Sequence, residues 1–291
     1  MELQGRVVVV TGGASGIGRS LALAFAAARV AGVVVADLDG AGAASVAAEV
    51  EASGVPAVGV ACDVSVEDDV RRVVRSAEER FGPVGVFCAN AGILVTGGID
   101  APDAAWDRAW SVNVKSHLYA ARAVVPSMVE RGEGYLVHTA SAAGLLTQLG
   151  AAPYSVSKHA VVAFAEWLSI TYGDAGVRVS ALCPQAVATN LVTTSSDVLA
   201  GKPVAVPPPR TDSITAAAGV GTKGGAGADG VLSADAVAAK VIEAIGEERF
   251  LILPHLEVET YEKRRTDDRE RWLRGMRRAQ AQRTAFGRRR A

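Results

Sequence analysis

The segment YSVSK sets Tyr154 and Lys158 four residues apart, which on a helix puts them on one face, a turn from each other. A phenol with a pKa near 10 is a poor base at neutrality. Bringing it down about three units takes about 4 kcal/mol. An opposite charge within reach supplies about 1–3 units, so Lys158 can make Tyr154 a proton carrier for an alcohol or a carbonyl. A second signature, TGGASGIG from Thr11 to Gly18, packs four glycines into eight residues. Glycines cost backbone entropy on folding, but they let a pyrophosphate reach the N–H groups at a helix N-terminus. The spacing is Thr11-Gly12-x-x-x-Gly16-x-Gly18; the strict G-x-G-x-x-G fingerprint is absent, because Leu21 stands where its last glycine would be. Asp37 follows 19 residues after Gly18, where a carboxylate can accept both ribose hydroxyls of an adenosine. A 2′-phosphate there would meet a like charge, and neither Ser15 nor Leu38 offers a basic group. NAD is therefore expected over NADP. Arg19 falls inside the following helix and is read as a packing or solvent-facing residue.

These residues need elements to hold them. RVVVVTGG reads as a short apolar strand buried on both faces, and Ile17, Leu21, Phe25 and Ala28 sit near helical spacing after it. Strands are expected at VAGVVVAD, AVGVACDV, VGVFCANAG, GYLVHTAS, VRVSALCP and RFLILP. Helices are expected over Ala41–Ala52, Glu67–Phe81 and Ala104–Glu130, with a long one after Tyr154. This alternation predicts a single α/β domain, a Rossmann-like doubly wound parallel sheet with helices on both faces, over residues 1–255. The stretch 190–230, with PVAVPPP and GVGTKGGAGADG, breaks the rhythm and is expected to be a partly flexible substrate lid. Residues 256–291 are expected to be a basic, helical extension with Tyr261, Trp272 and Met276 available for docking.

Composition narrows the function classes. The 291 residues are 49% hydrophobic, with a mean hydropathy of +0.23, enough for a sizeable core. Cys62, Cys88 and Cys183 are too scattered for a disulfide framework or a zinc site, and read as buried thiols. His117, His138, His159 and His255 have no ligand-like spacing, so no metal is expected. There is no run of 18 apolar residues and no signal-peptide pattern, so a cytoplasmic protein without a membrane span is expected. The net charge of −1 hides 12 basic and 3 acidic residues between Lys263 and Ala291. Such a tail binds a nucleic acid or an anionic membrane, or lies across its own body or a neighbouring subunit. It lacks aromatic interleaving, which favours the second pair of readings over nucleic acid.

Taken together, TGGASGIG, Asp37, CDV at Cys62–Val64, NAG at Asn90–Gly92, Asn113, Ser141 and YSVSK resemble the short-chain dehydrogenase/reductase family over about residues 3–190. The resemblance implies that Tyr154 exchanges the proton, that Lys158 lowers its pKa and holds the nicotinamide ribose, and that Ser141 binds the reacting oxygen. Asn113 would hold a water linking Lys158 to solvent. The cofactor site would take in Gly12, Ser15, Gly16, Ile17, Gly18 and Asp37. Asp63 and Val64 would meet the adenine, and Asn90, Ala91 and Gly92 would wall the ribose. Pro184, Val187 and Thr189 would contact the nicotinamide. One departure stands out: the run PQAVAT has Gln185 where the family usually has glycine. Either its side chain projects toward the substrate or the loop bends differently. Gln148 is a second candidate substrate contact. The expected activity is NAD-dependent oxidation of a secondary alcohol, or reduction of the ketone, by a homodimer or homotetramer. The alternatives are an NADP-dependent carbonyl reductase and a redox-silent dinucleotide sensor whose basic tail binds a partner or nucleic acid.

Overall fold

The structure, a computed structural model, describes residues 1–200 and 229–288, with side chains as far as residue 282. Seven parallel strands form the main sheet: β1 (Val7–Thr11), β2 (Gly32–Asp37), β3 (Ala57–Ala61), β4 (Val84–Ala89), β5 (Gly134–Thr139), β6 (Val177–Leu182) and β9 (Leu251–Ile252). Their order is β3-β2-β1-β4-β5-β6-β9. A second, two-stranded sheet pairs β7 (Val187–Ala188) with β8 (Leu232–Ser233). The order reverses between β1 and β4, which opens a crevice beyond the carboxyl ends of those strands. Valine carries the sheet. Every residue of β1, β4 and β5 is buried, as expected when helices cover both faces, whereas β3 at the edge is only partly covered.

The helices follow from local pattern. In α3 (Glu67–Phe81), Val70, Val73, Val74 and Ala77 form the buried stripe, and Glu67, Asp68 and Asp69 occupy the first turn, where the helix dipole favours acids. The helix stops at Gly82, whose φ is +99°. On this face of the sheet also lie α4 (Asp103–Trp110), α5 (Ser116–Arg131) and α7 (Ala152–Tyr172), while α1 (Gly16–Ala27), α2 (Gly40–Ala52) and α9 (Ala234–Gly246) line the other. The short α6 (Ala143–Leu146) leads out of β5. The three cysteines are free and buried.

Three expectations change. The single helix expected over Ala104–Glu130 is α4 and α5 joined by a π-helical segment, Ser111–Lys115, a widened turn that periodicity alone does not reveal. The final strand at RFLILP shrinks to Leu251–Ile252. Residues 191–199 of the expected lid form helix α8 (Leu191–Leu199), and the PVAVPPP and GVGTKGGAGADG stretch lies, up to residue 228, outside the described residues. Beyond β9, α10 (Glu257–Asp267) packs against α6 and buries Val258 fully, while α11 (Arg269–Arg288) packs against α10. No described helix is long and apolar enough to cross a membrane.

Candidate active site

The glycine turn is built by steric necessity. Gly12 and Gly16 have φ of +65° and +52°, backbone that favours glycine. A Cβ on Gly18 would lie 2.0 Å from the Gly12 carbonyl oxygen, and one on Gly12 would lie 2.9 Å from Ala91 Cα. The turn therefore presses against the Asn90–Gly92 loop after β4, and hydrogen bonds hold that contact. Thr11 Oγ1 donates to the Cys88 carbonyl and accepts from Asn90 N at 3.0 Å and Ala91 N at 3.2 Å. Asn90 Nδ2 in turn donates to the Thr11 carbonyl at 3.0 Å.

Asp37 ends β2 beside the turn. Its Oδ2 accepts from Ala14 N and its Oδ1 from Asp39 N, each at 3.0 Å, so it braces the glycine turn. Burial raises its pKa, opposed by these backbone donors. A carboxylate retains acceptor capacity beyond two such bonds. Arg19 pairs with Glu49 on α2, which settles it as a surface packing residue. Asp63 accepts from Ser65 and lies 3.7 Å from Arg108, while Val64 is buried in the core. Ser15 caps α1 without a side-chain bond, and Ile17 packs into the core on that side.

On the opposite side of the crevice, Lys158 is 3% exposed. Its Nζ donates to the Thr139 carbonyl at 2.8 Å and lies 5.8 Å from the centre of the Tyr154 ring. Two further contacts fix the start of α7: Gly97 N donates to the Gly150 carbonyl, and Ala152 N to the Gly97 carbonyl. Gly92 leaves the space these groups need, since a Cβ there would lie 3.3 Å from both Lys158 Nζ and Asn113 Oδ1. Asn113 sits in the π-helical segment, fully buried. Its Oδ1 accepts from Ile93 N at 2.8 Å, and its Nδ2 donates to the Ile93 carbonyl and to Ser157 Oγ. Ser141 Oγ accepts from Ala143 N at 3.1 Å and donates to the Pro184 carbonyl at 3.4 Å, and it stands near enough to the Tyr154 phenol to draw its pKa down.

The electrostatics differ from the expectation for the pair. Burial raises the Tyr154 phenol, with the nearby Ser141 opposing it. Burial also pushes Lys158 down, to about 8. Removing water penalises phenolate and ammonium alike, so in this protein alone the lysine does not lower the phenol below its ordinary value.

The loop after β6 closes the site. The Pro184 carbonyl accepts from Ala142 N at 2.9 Å, Val187 is buried in β7, and Thr189 lies against Gly16, within 3.0 Å of where a Cβ would stand. Gln185 projects its amide onto Asp229, at 3.0 Å, so that side chain has a protein partner. Gln148 is half-buried, and its backbone N donates to Ser155 Oγ. Sequence reasoning passed over Thr139, Ser157 and Ser195, which anchor Lys158, Asn113 and the Leu94 backbone. Of these only Ser157, inside YSVSK, carried a signal. His117 and His138 form a buried pair, Nδ1 to Nδ1 at 2.9 Å, kept neutral by burial. No metal-like cluster occurs among the described residues.

The glycine turn fits a dinucleotide: its glycines are those a side chain would block, and no Ser15 side-chain bond caps the N-terminus of the helix behind it, the end of a helix that favours a phosphate. Similarity to known proteins agrees. Residues 6–199 match the short chain dehydrogenase family. The chain is 38% identical over 256 residues to a 1-deoxy-11-beta-hydroxypentalenate dehydrogenase of Streptomyces exfoliatus, covering 87% of this chain and 84% of that one. It is 37% identical to a 3beta-hydroxysteroid dehydrogenase 2 of Eggerthella lenta, over 65% of this chain and 74% of the relative. A crystal structure of a short chain dehydrogenase/reductase from Burkholderia phymatum, in complex with NAD, superposes with a TM-score of 0.80 at 34% identity, covering 93% of this chain and 96% of that one. With a doubly wound sheet, a glycine turn at its switch point and Tyr154 and Lys158 across the crevice, the chain belongs to the short-chain dehydrogenase family, oxidoreductases acting on CH–OH groups.

Proposed function

We propose that the protein is an NAD-dependent dehydrogenase that interconverts a secondary alcohol and its ketone, with Tyr154, Lys158, Ser141 and Asn113 as the catalytic group. The observation that carries this reading is the convergence of Tyr154, Ser141 and Lys158 in one buried cluster beside Gly92, whose loop packs against the glycine turn. Gly12, Ser15, Gly16, Ile17, Gly18 and Asp37 hold the adenosine and pyrophosphate end of the dinucleotide. Asp63 and Val64 reach the adenine through their backbone, the Asp63 carboxylate being engaged by Ser65 and Arg108. Asn90, Ala91 and Gly92 wall the ribose, and Pro184, Val187 and Thr189 flank the nicotinamide. When bound, oxidised NAD supplies the hydride acceptor and a positive charge.

Tyr154 takes the proton from the alcohol hydroxyl as the carbonyl forms, and returns it in the reverse direction. Ser141, oriented by the Ala143 backbone, hydrogen-bonds the same oxygen. Lys158, tethered to Thr139, holds the ribose and stabilises the phenolate. The Asn113 side chain is spent on Ile93 and Ser157, so its water is held by the main chain of the π turn, where the regular helical ladder is interrupted. Asp37 selects NAD because its carboxylate meets a 2′-phosphate with like charge.

The exposed Trp110 on α4 and the exposed Val156, Trp167 and Ile170 on α7 support a homo-oligomer, since contiguous apolar surface marks an interface. A cytoplasmic location, and a substrate-side role for residues 190–230, complete the reading. The test is an NADH-fluorescence screen over secondary alcohols, sterols and sugar alcohols, with NAD and NADP compared. Tyr154→Phe is expected to lose at least about a hundredfold in turnover while binding NAD as the parent does. Turnover near the parent rate overturns the assignment.

A further inference from the structure

Gln185, the residue that departs from the family pattern, is bound from two directions. Its backbone N donates to His255 Nδ1 at 3.2 Å, and its Nε2 donates to Asp229 Oδ2 at 3.0 Å. The other oxygen of the same carboxylate, Asp229 Oδ1, accepts from the Tyr261 hydroxyl on α10 at 2.9 Å. One side chain therefore joins the loop after β6 to the C-terminal extension. Neighbouring backbone bonds reinforce the link: Leu232 N donates to the Ala186 carbonyl at 3.1 Å, and β7 pairs with β8. The extension is itself anchored, since Val258 is fully buried and α10 packs on α6, just beyond Ser141. The same loop presents the Pro184 carbonyl to Ala142 N and Thr189 to Gly16. It thus lies between the reacting-oxygen side of the site and the dinucleotide turn.

We propose that Asp229 and Tyr261 form a latch with Gln185 and act as positioning residues for the reaction. The latch sets where the Pro184–Thr189 loop stands relative to Ser141, and the C-terminal extension completes the active site from outside the family core. A glycine at residue 185 would have no side chain to hold. Gln185 supplies the handle, and Asp229 and Tyr261 are its partners. The kinetic consequence rests on the dehydrogenase reading above; the structural consequence does not.

The test compares the parent chain with Tyr261→Phe, Asp229→Ala and Asp229→Asn. Asn can keep both bonds once the Gln185 amide flips, because each amide then offers one donor and one acceptor. In Asp229→Ala and Tyr261→Phe, amide hydrogen exchange over residues 185–190 is expected to rise about tenfold, with β5 unchanged. Their kcat/KM for the alcohol is expected to fall about three- to tenfold, the worth of one such bond, mainly in kcat. The NAD Kd is expected to rise by less than kcat/KM falls, because the glycine turn and Asp37 are untouched and only the contacts of Pro184, Val187 and Thr189 loosen. Asp229→Asn is expected to restore both readouts, which a loss of stability alone would not predict. A chain cut after α10 is expected to match the parent. Parent-like exchange in Asp229→Ala overturns the latch, and raised exchange with unchanged kcat/KM overturns its positioning role. If no alcohol is turned over by the parent chain, the dehydrogenase reading fails, and the exchange measurement still decides whether the latch exists.

Discussion

Lys158 shows how much the site asks of one residue. Its ammonium is buried with one carbonyl partner among the described residues, and its pKa falls to about 8 in the fold, from 10.5. Below about pH 8 the folded chain carries a desolvated charge. Between that value and 10.5 the unfolded chain binds more protons, so stability rises with pH. Lys158→Met is therefore expected to raise the urea midpoint of the ligand-free protein near pH 6, less the roughly 1 kcal/mol of the Thr139 hydrogen bond. That advantage shrinks as pH approaches 10.5, and turnover is lost throughout. A lower midpoint at pH 6 counts against a strained lysine. Asp37 poses the complementary case, a carboxylate held in place by Ala14 and Asp39. Asp37→Ala is expected to shift the NADP-to-NAD ratio of Kd values toward NADP by at least about tenfold, read by fluorescence titration. An unchanged ratio removes Asp37 as the selector.

Among the elements, the first strand–turn–helix is unforgiving. A Cβ on Gly18 meets a backbone oxygen at 2.0 Å, and backbone does not yield as a flexible side chain does. Gly18→Ala is expected to cost about 1–3 kcal/mol in stability and about a hundredfold in dinucleotide affinity. Urea unfolding and NADH titration measure the two, and parent-like affinity would show that the turn does not cradle a phosphate. The π-helical segment is the other element with consequences. By interrupting α4 and α5 it brings the Asn113 amide to Ile93 and Ser157 at once, joining the loop after β4 to α7.

For the whole molecule, the charge is divided between an acidic body and a basic end, and α11 packs against α10. An exposed apolar patch lies on α7, where Trp167 is 53% and Ile170 84% exposed. Charged substitution there is expected to dissociate the proposed homo-oligomer: Trp167→Glu with Ile170→Asp should elute as a monomer in size-exclusion chromatography with light scattering, its circular dichroism unchanged. A parent chain that is already monomeric defeats that expectation.

The sequence by itself determined the sheet, because buried parallel strands must be near-continuous Val, Ala and Leu, and the bounds of α3, the end of β2 and the start of β4 were readable to the residue. It also determined the glycine turn and the Tyr154–Lys158 pair, whose logic is local spacing along the chain. Tertiary structure alone decided what those residues experience. Thr139, Ser157 and Ser195 became anchors only through contacts between distant segments, which no spacing encodes. The pKa of Tyr154 rose rather than fell because burial, a property of the packed fold, outweighs a neighbour that is itself desolvated. Gln185 was visible as a departure, but its meaning lay 44 residues away at Asp229 and further on at Tyr261.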